Sequence, residues 1–152
     1  SGPSALCLSR QNLPFVKRNE NVITLIEKGG YVLSEAAGKA QAAIIATGSE
    51  VELALKAQAE LAKEGIAVRV VSMPNTNAFD RQDAAYKASV LPKGLPRVAV
   101  EAGVTDGWYK YVGLEGKVVG LDRFGESAPA GVLFKEFGFT VENVVKTVKS
   151  VL

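Results

Sequence analysis

Residues 42–46 read Ala42-Ala-Ile-Ile-Ala46, and Thr47-Gly48-Ser49 leads from them into a long amphipathic segment that stops at Gly65. Five apolar residues in a row are typical of a β-strand that is buried on both faces, as in parallel sheets. The next segment carries its apolar residues at helical spacing, and Ser49 with Glu52 matches a capping box at its start. Glycine is the usual left-handed terminator of a helix. This strand–helix unit decides the fold class.

The pattern of strand followed by helix recurs along the chain. We predict further strands at 67–71, 97–100 and 117–121, a helix capped by Asp80 and ended by Pro92, an aromatic helix at 108–112, and helices at 128–137 and 141–151, capped by Ser127 and Thr140. Strands that helices separate cannot pair as hairpins, so they run parallel through right-handed crossovers.

One strand departs from the parallel arrangement. The strand that begins at Tyr31-Val-Leu33 is too close to the strand at 42–46 for a crossover, so we expect it to add an antiparallel edge. The predicted fold is therefore α/β, a three-layer αβα sandwich with a mostly parallel sheet and an antiparallel edge strand.

The start of the chain does not follow this pattern of alternating strands and helices. Residues 4–14 read Ser4-Ala-Leu-Cys-Leu-Ser-Arg-Gln-Asn-Leu-Pro14, which we interpret as one buried strand that ends in a polar, ligand-facing corner. No strand or helix precedes it, as expected for the last strand of a truncated domain. Residues 15–28 are predicted to be an ordered connector with one helical turn. The sequence thus divides into 1–28 and 29–152.

Composition limits the classes of function. The 18 basic and 16 acidic residues of this 152-residue chain alternate, so there is no charge pattern typical of nucleic-acid or membrane-surface binding. No apolar stretch approaches the roughly 18 residues of a membrane span. The single cysteine, Cys7, lies between leucines and fits a reducing compartment, so we expect a cytoplasmic protein.

Four loops follow the predicted strands, and ligands of open parallel sheets bind at such carboxyl ends. They are residues 47–49, 72–74, 101–103 and 122–127. The first could hold a phosphate at a helix N-terminus, but Ser49 and Glu52 could satisfy the same N–H groups. Neither a dinucleotide fingerprint nor a P-loop is present.

Glu101, Asp122 and Glu126 are candidates for acid–base or metal chemistry. Their spacing brings no two of them together within one element, and the chain has no histidine to activate a nucleophile. We therefore predict solvated or capping carboxylates, with no catalytic, cofactor-binding or metal-binding residue. The aromatic run Trp108-Tyr-Lys-Tyr111 could stack on bases or sugars, but its helical spacing favours packing against the sheet or a subunit neighbour.

Arg10 follows the predicted strand at Ala5–Leu8 and is flanked by polar residues. A guanidinium held rigidly at a strand end can bind a phosphate through two parallel hydrogen bonds. It can equally be a solvated arginine, and the residues alone leave both readings open.

Eight blocks of sequence, in order, resemble the C-terminal portion of bacterial-type transketolases. They are Ser9–Pro14, Lys28–Leu33, Ala46–Val51, Val70–Pro74, Glu101–Val104, Trp108–Gly113, Gly125–Pro129 and Phe137–Thr140. One departure is Asn77, where the family pattern leads us to expect aspartate.

The resemblance implies a three-domain thiamine diphosphate enzyme that moves a two-carbon ketol unit from a ketose phosphate to an aldose phosphate in the pentose phosphate pathway. It implies a divalent cation (magnesium or calcium), a homodimer, and cofactor and histidine positions outside this chain. By the same resemblance, Arg10 maps onto the arginine that binds the substrate phosphate. Residues 1–28 would be the tail of the pyrimidine-binding middle domain with its linker, and 29–152 the C-terminal domain, structural, dimer-supporting and inactive alone.

Two alternatives remain. The chain could be a regulatory module whose strand-end loops bind a small anion or nucleotide. It could also be the same domain of another thiamine diphosphate enzyme, such as a deoxyxylulose phosphate synthase or a pyruvate dehydrogenase component. The blocks Ser9–Pro14 and Gly125–Pro129 favour transketolase over these enzymes.

Overall fold

The computed structural model describes residues 3, 5–18 and 20–152. Its strands are β1 (Tyr31–Ser34), β2 (Ala42–Ala46), β3 (Val68–Ser72), β4 (Arg97–Val100) and β5 (Lys117–Val119). Its helices are α1 (Glu20–Ile26), α2 (Glu50–Lys63), α3 (Thr76–Asp80), α4 (Ala84–Val90), α5 (Tyr109–Val112), α6 (Ala130–Glu136) and α7 (Val141–Lys149), with a 3-10 turn at Asp106–Trp108. Among the described residues, no helix is long and apolar enough to cross a bilayer.

The five strands form one sheet in the order β1-β3-β2-β4-β5. The edge strand β1 is antiparallel to β3, and every other neighbouring pair is parallel. At the centre, Ile44 of β2 lies opposite Val70 of β3 and Val98 of β4. The predicted parallel sheet with an antiparallel edge is confirmed.

Two apolar cores cover the two faces of this sheet. Ile44 belongs to the core that α2, α6 and α7 close, where Leu61 and Val144 are fully buried. Ile45, its neighbour in β2, belongs to the opposite core with Phe79 and the helices α3 to α5. Because successive residues of a strand point to opposite faces, a strand buried on both sides requires helices in both layers. The three-layer prediction is confirmed.

The start of α2 differs from the predicted capping box. Ser49 has helical dihedral angles and makes no capping bond; its hydroxyl instead donates to both carboxylate oxygens of Glu50 at 3.1 Å. Glu52 pairs with Lys56 at 2.5 Å, one helical turn ahead, rather than reaching back. The capping-box prediction is wrong because the neighbouring Glu50 engages the serine hydroxyl.

The end of α2 is as predicted. Gly65 has a φ of +77°. The N–H of Ile66 donates to the carbonyl of Leu61 at 3.0 Å, and that of Gly65 donates to Ala62 at 3.1 Å, which is the Schellman arrangement.

Gln58 interrupts the apolar face of α2 and links the helix to the sheet. Its Nε2 donates to the carbonyl of Val68 at 2.7 Å, and its Oε1 accepts from the Ser34 hydroxyl at 2.8 Å. The same Nε2 also lies 3.2 Å from the carbonyl oxygen of Glu35. The polar side chain of Gln58, although it lies within the apolar face of α2, is thus hydrogen-bonded to β1 and β3.

The segment after β3 holds two helices where we predicted one capped by Asp80. Asn75 caps α3 by accepting from the N–H of Ala78 at 2.9 Å, and Asp83 caps α4 by accepting from Tyr86 at 2.7 Å. Both caps have the extended backbone that the role requires, whereas Asp80 is the last residue of α3. The prediction for Asp80 is wrong for this reason.

The two C-terminal helices lie where predicted. Thr140 caps α7 by accepting from the N–H of Asn143 at 3.2 Å, which confirms that cap. The predicted cap Ser127 is wrong, since α6 begins only at Ala130 and Pro129 precedes it without a side-chain bond.

The start of the chain does not form the predicted buried strand. Ala5–Leu8 has no strand pairing in the structure, and Leu6 and Leu8 are 84% and 78% exposed. Ser4 lies outside the described residues. The prediction is wrong for the described residues, because none of the strands β1 to β5 pairs with this segment and its apolar side chains stay exposed. The predicted connector does contain a helix, α1.

Two glycines with positive φ allow a test of backbone packing. Gly29 (φ +84°) lies so close to α3 that a Cβ would come within 2.2 Å of the Asn75 carbonyl oxygen, whereas a Cβ at Gly38 (φ +94°) would meet nothing within 4 Å. We expect Gly38→Ala to lower the free energy of unfolding by about 1 kcal/mol through backbone strain alone. Gly29→Ala should cost about 3 kcal/mol because a clash is added. Urea unfolding of both variants measures the difference, and equal losses would contradict the close approach.

Candidate functional site

The sheet reverses its strand order at the carboxyl ends of β2 and β4. From β2 the chain crosses to β3 on one side, and β4 lies on the other. Such a point is where open α/β sheets bind ligands. The loops 47–49 and 101–103 lie there; the first leads into Glu50 and the second begins with Glu101.

Glu50 is the first residue of α2 and is only 3% exposed. Burial raises the pKa of its carboxyl group, and this outweighs the opposite effects of the hydrogen bond from the Ser49 hydroxyl and of the nearby main-chain N–H groups of Glu50 and Ala102. The carboxylate therefore occupies the helix N-terminus where a phosphate was considered. Sequence reasoning missed Glu50; an acidic residue in the first helical turn was visible, but its burial was not.

Glu101 directly follows β4. Its Oε2 is buried without a hydrogen-bond partner among the described residues. Burial, and secondly the negative charge of Glu50, raise the pKa of Glu101 to about 7. The prediction of a solvated or capping carboxylate is wrong for Glu101, because its Oε2 is buried and its carboxyl group lies close enough to Glu50 for the two charges to interact.

The other two candidate carboxylates do not join this pair. Asp122 accepts from the N–H and the hydroxyl of Thr105, both at 2.8 Å, and Glu126 pairs with Arg123. Both are exposed, as predicted. As expected, the three candidate carboxylates do not come together; Glu101 instead lies near Glu50.

Together the two carboxyl groups can hold a proton near neutral pH. The chain contains no histidine. Within residues 3, 5–18 and 20–152, no group of three or more histidine, cysteine, aspartate or glutamate residues could hold a metal ion. The protonation of this largely buried pair affects the stability of the folded chain.

Arg10 lies at an exposed bend in the N-terminal segment. The predicted rigid support from a buried strand is missing, and no ion pair of Arg10 is seen in the described part of the chain. The neighbouring Gln11 lines a cavity of about 470 Å³ together with Ser49 and Glu52. Arg10 therefore lies near the carboxyl edge of the sheet without lining that cavity.

The aromatic run packs inward, as its spacing favours. Trp108 and Tyr111 are buried in the core that α3 to α5 close, with ring centroids 5.9 Å apart, while Tyr109 is 48% exposed. The stacking-platform alternative has no exposed pair of rings to support it among these three residues.

Comparison with known proteins identifies the family of this chain. Residues 29–140 match the family described as the transketolase-like TK C-terminal domain. The chain belongs to this transketolase C-terminal domain family. It is 60% identical over 152 residues to Transketolase 1 of Escherichia coli (strain K12) and 58% identical to Transketolase 2 of Aliivibrio fischeri. Each match covers 99% of this chain and 23% of the relative, so the chain spans about a quarter of their length.

Solved transketolases have the same fold. The Pichia stipitis enzyme in complex with sedoheptulose-7-phosphate superimposes with a TM-score of 0.83 at 45% identity, over 93% of this chain and 20% of that one. A split gene transketolase described as an inactive β4 tetramer matches with a TM-score of 0.68 at 28% identity, over 94% of this chain and 48% of that one.

The Glu50–Glu101 pair gives this transketolase C-terminal domain a predictable pH dependence. The raised pKa of Glu101, about 7 against an ordinary 4.5, means that the folded chain binds a proton that the unfolded chain releases. Stability should therefore fall as the pH rises from 4.5 to about 7, and stay low above it. Glu101→Gln should remove this loss and raise the free energy of unfolding at about pH 8 by on the order of 1 kcal/mol, a value reduced for partial solvent access.

The measurement is urea unfolding at several pH values. Glu115→Gln, at an exposed position, is the matched control and should leave the pH profile unchanged. A Glu101→Gln profile parallel to that of the original chain would contradict the shared burial of the two carboxyl groups.

Proposed function

We propose that the intact enzyme transfers a two-carbon ketol unit from a ketose phosphate to an aldose phosphate, in the pentose phosphate pathway of the cytoplasm. It would do so as a homodimer with thiamine diphosphate and a divalent cation, magnesium or calcium. The observation that carries this proposal is the 60% identity to Transketolase 1 of E. coli over 99% of the chain. A sugar phosphate substrate is supported by the sedoheptulose-7-phosphate complex of the P. stipitis enzyme.

Within that enzyme, residues 29–152 would have a structural and dimer-supporting role. Both apolar cores are built from this part of the chain, and the family match begins at residue 29. Residues 1–28 would be the tail of the middle domain with its linker. The exposed side chains of Leu6, Leu8 and Phe15 support this assignment, since a preceding domain would remove them from water.

The residues of this chain do not fit the cofactor. A diphosphate bound through a metal needs a cluster of oxygen or nitrogen ligands, which the described residues lack. The helix N-terminus at the carboxyl edge is filled by the Glu50 carboxylate, whose charge would repel a diphosphate. We therefore assign the cofactor to the preceding part of the enzyme and no catalytic residue to this chain.

Arg10 is the one residue here for which we propose contact with the substrate. Its guanidinium is exposed and has no carboxylate partner among the described residues, so its charge is available. We propose that in the intact enzyme it binds the substrate phosphate through two parallel hydrogen bonds.

The regulatory-module alternative finds less support. It relied on anion binding by the strand-end loops, and the buried side chain of Glu50 fills the helix N-terminus at that edge.

The chain by itself should show no ketol transfer. The assay combines the purified chain with thiamine diphosphate, magnesium, a ketose phosphate donor and an aldose phosphate acceptor. The intact enzyme serves as the positive control. Turnover by the chain above background would refute the proposal that catalysis lies in the preceding part.

In the intact enzyme, Arg10→Ala should raise KM for phosphorylated substrates by about tenfold to a hundredfold, because charge-assisted hydrogen bonds to the phosphate are lost. Unphosphorylated analogues should be nearly unaffected. Arg81→Ala, also at an exposed arginine, is the matched control. Equal effects of Arg10→Ala on both substrate classes would contradict the phosphate role.

A further inference from the structure

A concavity of about 410 Å³ on the α3–α5 side of the domain has an unusual charge balance. Four cationic side chains line it, from Lys87, Lys93, Arg97 and Lys110, against a single carboxylate, that of Asp80. It lies away from the glutamate pair, because Arg97 is the first residue of β4 whereas Glu101 follows its last. The concavity therefore has a positive charge, whereas the glutamate pair gives the carboxyl edge of the sheet an acidic one.

The charge of Asp80 is already engaged. Its Oδ2 accepts from Lys110 Nζ at 2.6 Å, and its Oδ1 accepts from the Tyr111 hydroxyl at 3.0 Å. The hydrogen bond from Lys110 is the main reason that the pKa of Asp80 lies below its ordinary value. Asp80 thus pairs with Lys110, attracts Lys87 more weakly, and leaves Lys93 and Arg97 without a carboxylate partner among the described residues.

In the described part of the chain, the hydrogen-bond partners of Lys87 and Arg97 are neutral carbonyl groups, and Lys93 has none. Lys87 Nζ donates to the main-chain oxygen of Asp80 at 3.2 Å, and no partner of the exposed Lys93 is seen. Arg97 donates to three carbonyl oxygens, those of Leu91, Pro92 and Tyr111, at 2.8 to 3.0 Å. Its Nε is buried without a partner. A half-buried guanidinium that has only carbonyl partners keeps its full positive charge in the pocket.

Hydrogen bonds and ring packing hold the residues around the concavity in place. The carbonyl bonds of Arg97 join the end of α4 to the end of α5. Phe79 and Leu91 are buried in the wall, and the rings of Phe79 and Tyr111 pack with centroids 6.2 Å apart. Cations at the rim and an apolar wall are the features of sites for small organic anions.

We propose that this concavity binds the phosphate group of a small molecule. Lys87 and Lys93 would contact the phosphate directly, and the half-buried Arg97 would add positive charge from the wall of the concavity. A phosphate carries close to two negative charges, which match the uncompensated cations better than a single carboxylate does. The volume exceeds that of phosphate alone, so the rest of the ligand would lie against Phe79 and Leu91.

The test uses the 152-residue chain with inorganic phosphate and pyrophosphate as probes, followed by amide chemical shifts in NMR at low salt. We expect saturable shifts confined to residues 79–97 and 108–112, with binding that weakens as salt is added. Lys93→Ala should weaken binding about tenfold, and Lys93→Arg should retain it, because the charge is kept. Lys146→Ala, at an exposed lysine on α7, should change nothing.

Asp80→Asn provides a second, independent readout. Removing the carboxylate frees the charge of Lys110, so binding should strengthen severalfold, which a merely structural role of these residues would not produce. Unsaturable shifts, shifts centred on residues 47–50, or equal losses in Lys93→Ala and Lys146→Ala would each overturn the proposal. Weaker binding in a folded Asp80→Asn variant would overturn it as well.

Discussion

The complete burial of β2 on both faces is the constraint on which the domain depends. All five of its residues, from Ala42 to Ala46, are inaccessible to solvent, and they contribute alternately to the two cores. A strand in that position has to be central, with a partner on each side and a helical layer over each face. The reversal of strand order, and therefore the place where Glu50 and Glu101 meet, follows from its central position.

Features carried by local sequence were predictable. Apolar runs identified all five strands, although β5 ends at Val119 rather than at 121. Gly65 and Thr140 marked a helix end and a helix start correctly, because each acts through its own backbone geometry or its own side chain.

Features that depend on non-local contacts were missed. Ser49, Asp80 and Ser127 all have side chains suited to capping, but the dihedral angles and neighbours that tertiary packing imposes gave the role to other residues or to none. The segment Ala5–Leu8 has the composition of a buried strand, but no strand among the described residues pairs with it. The burial of Glu50 and the cationic concavity both arise from segments distant in sequence, which no periodicity reveals.

The edges of the sheet have a consequence for how copies of the domain behave together. The outer strands are short, four residues in β1 and three in β5, and β1 is irregular between Val32 and Ser34. Gln58 binds the main-chain oxygens beyond that irregularity. Edge strands that are short or irregular are poor templates for the addition of a strand from another molecule. The domain should therefore resist fibril-like association even at high concentration.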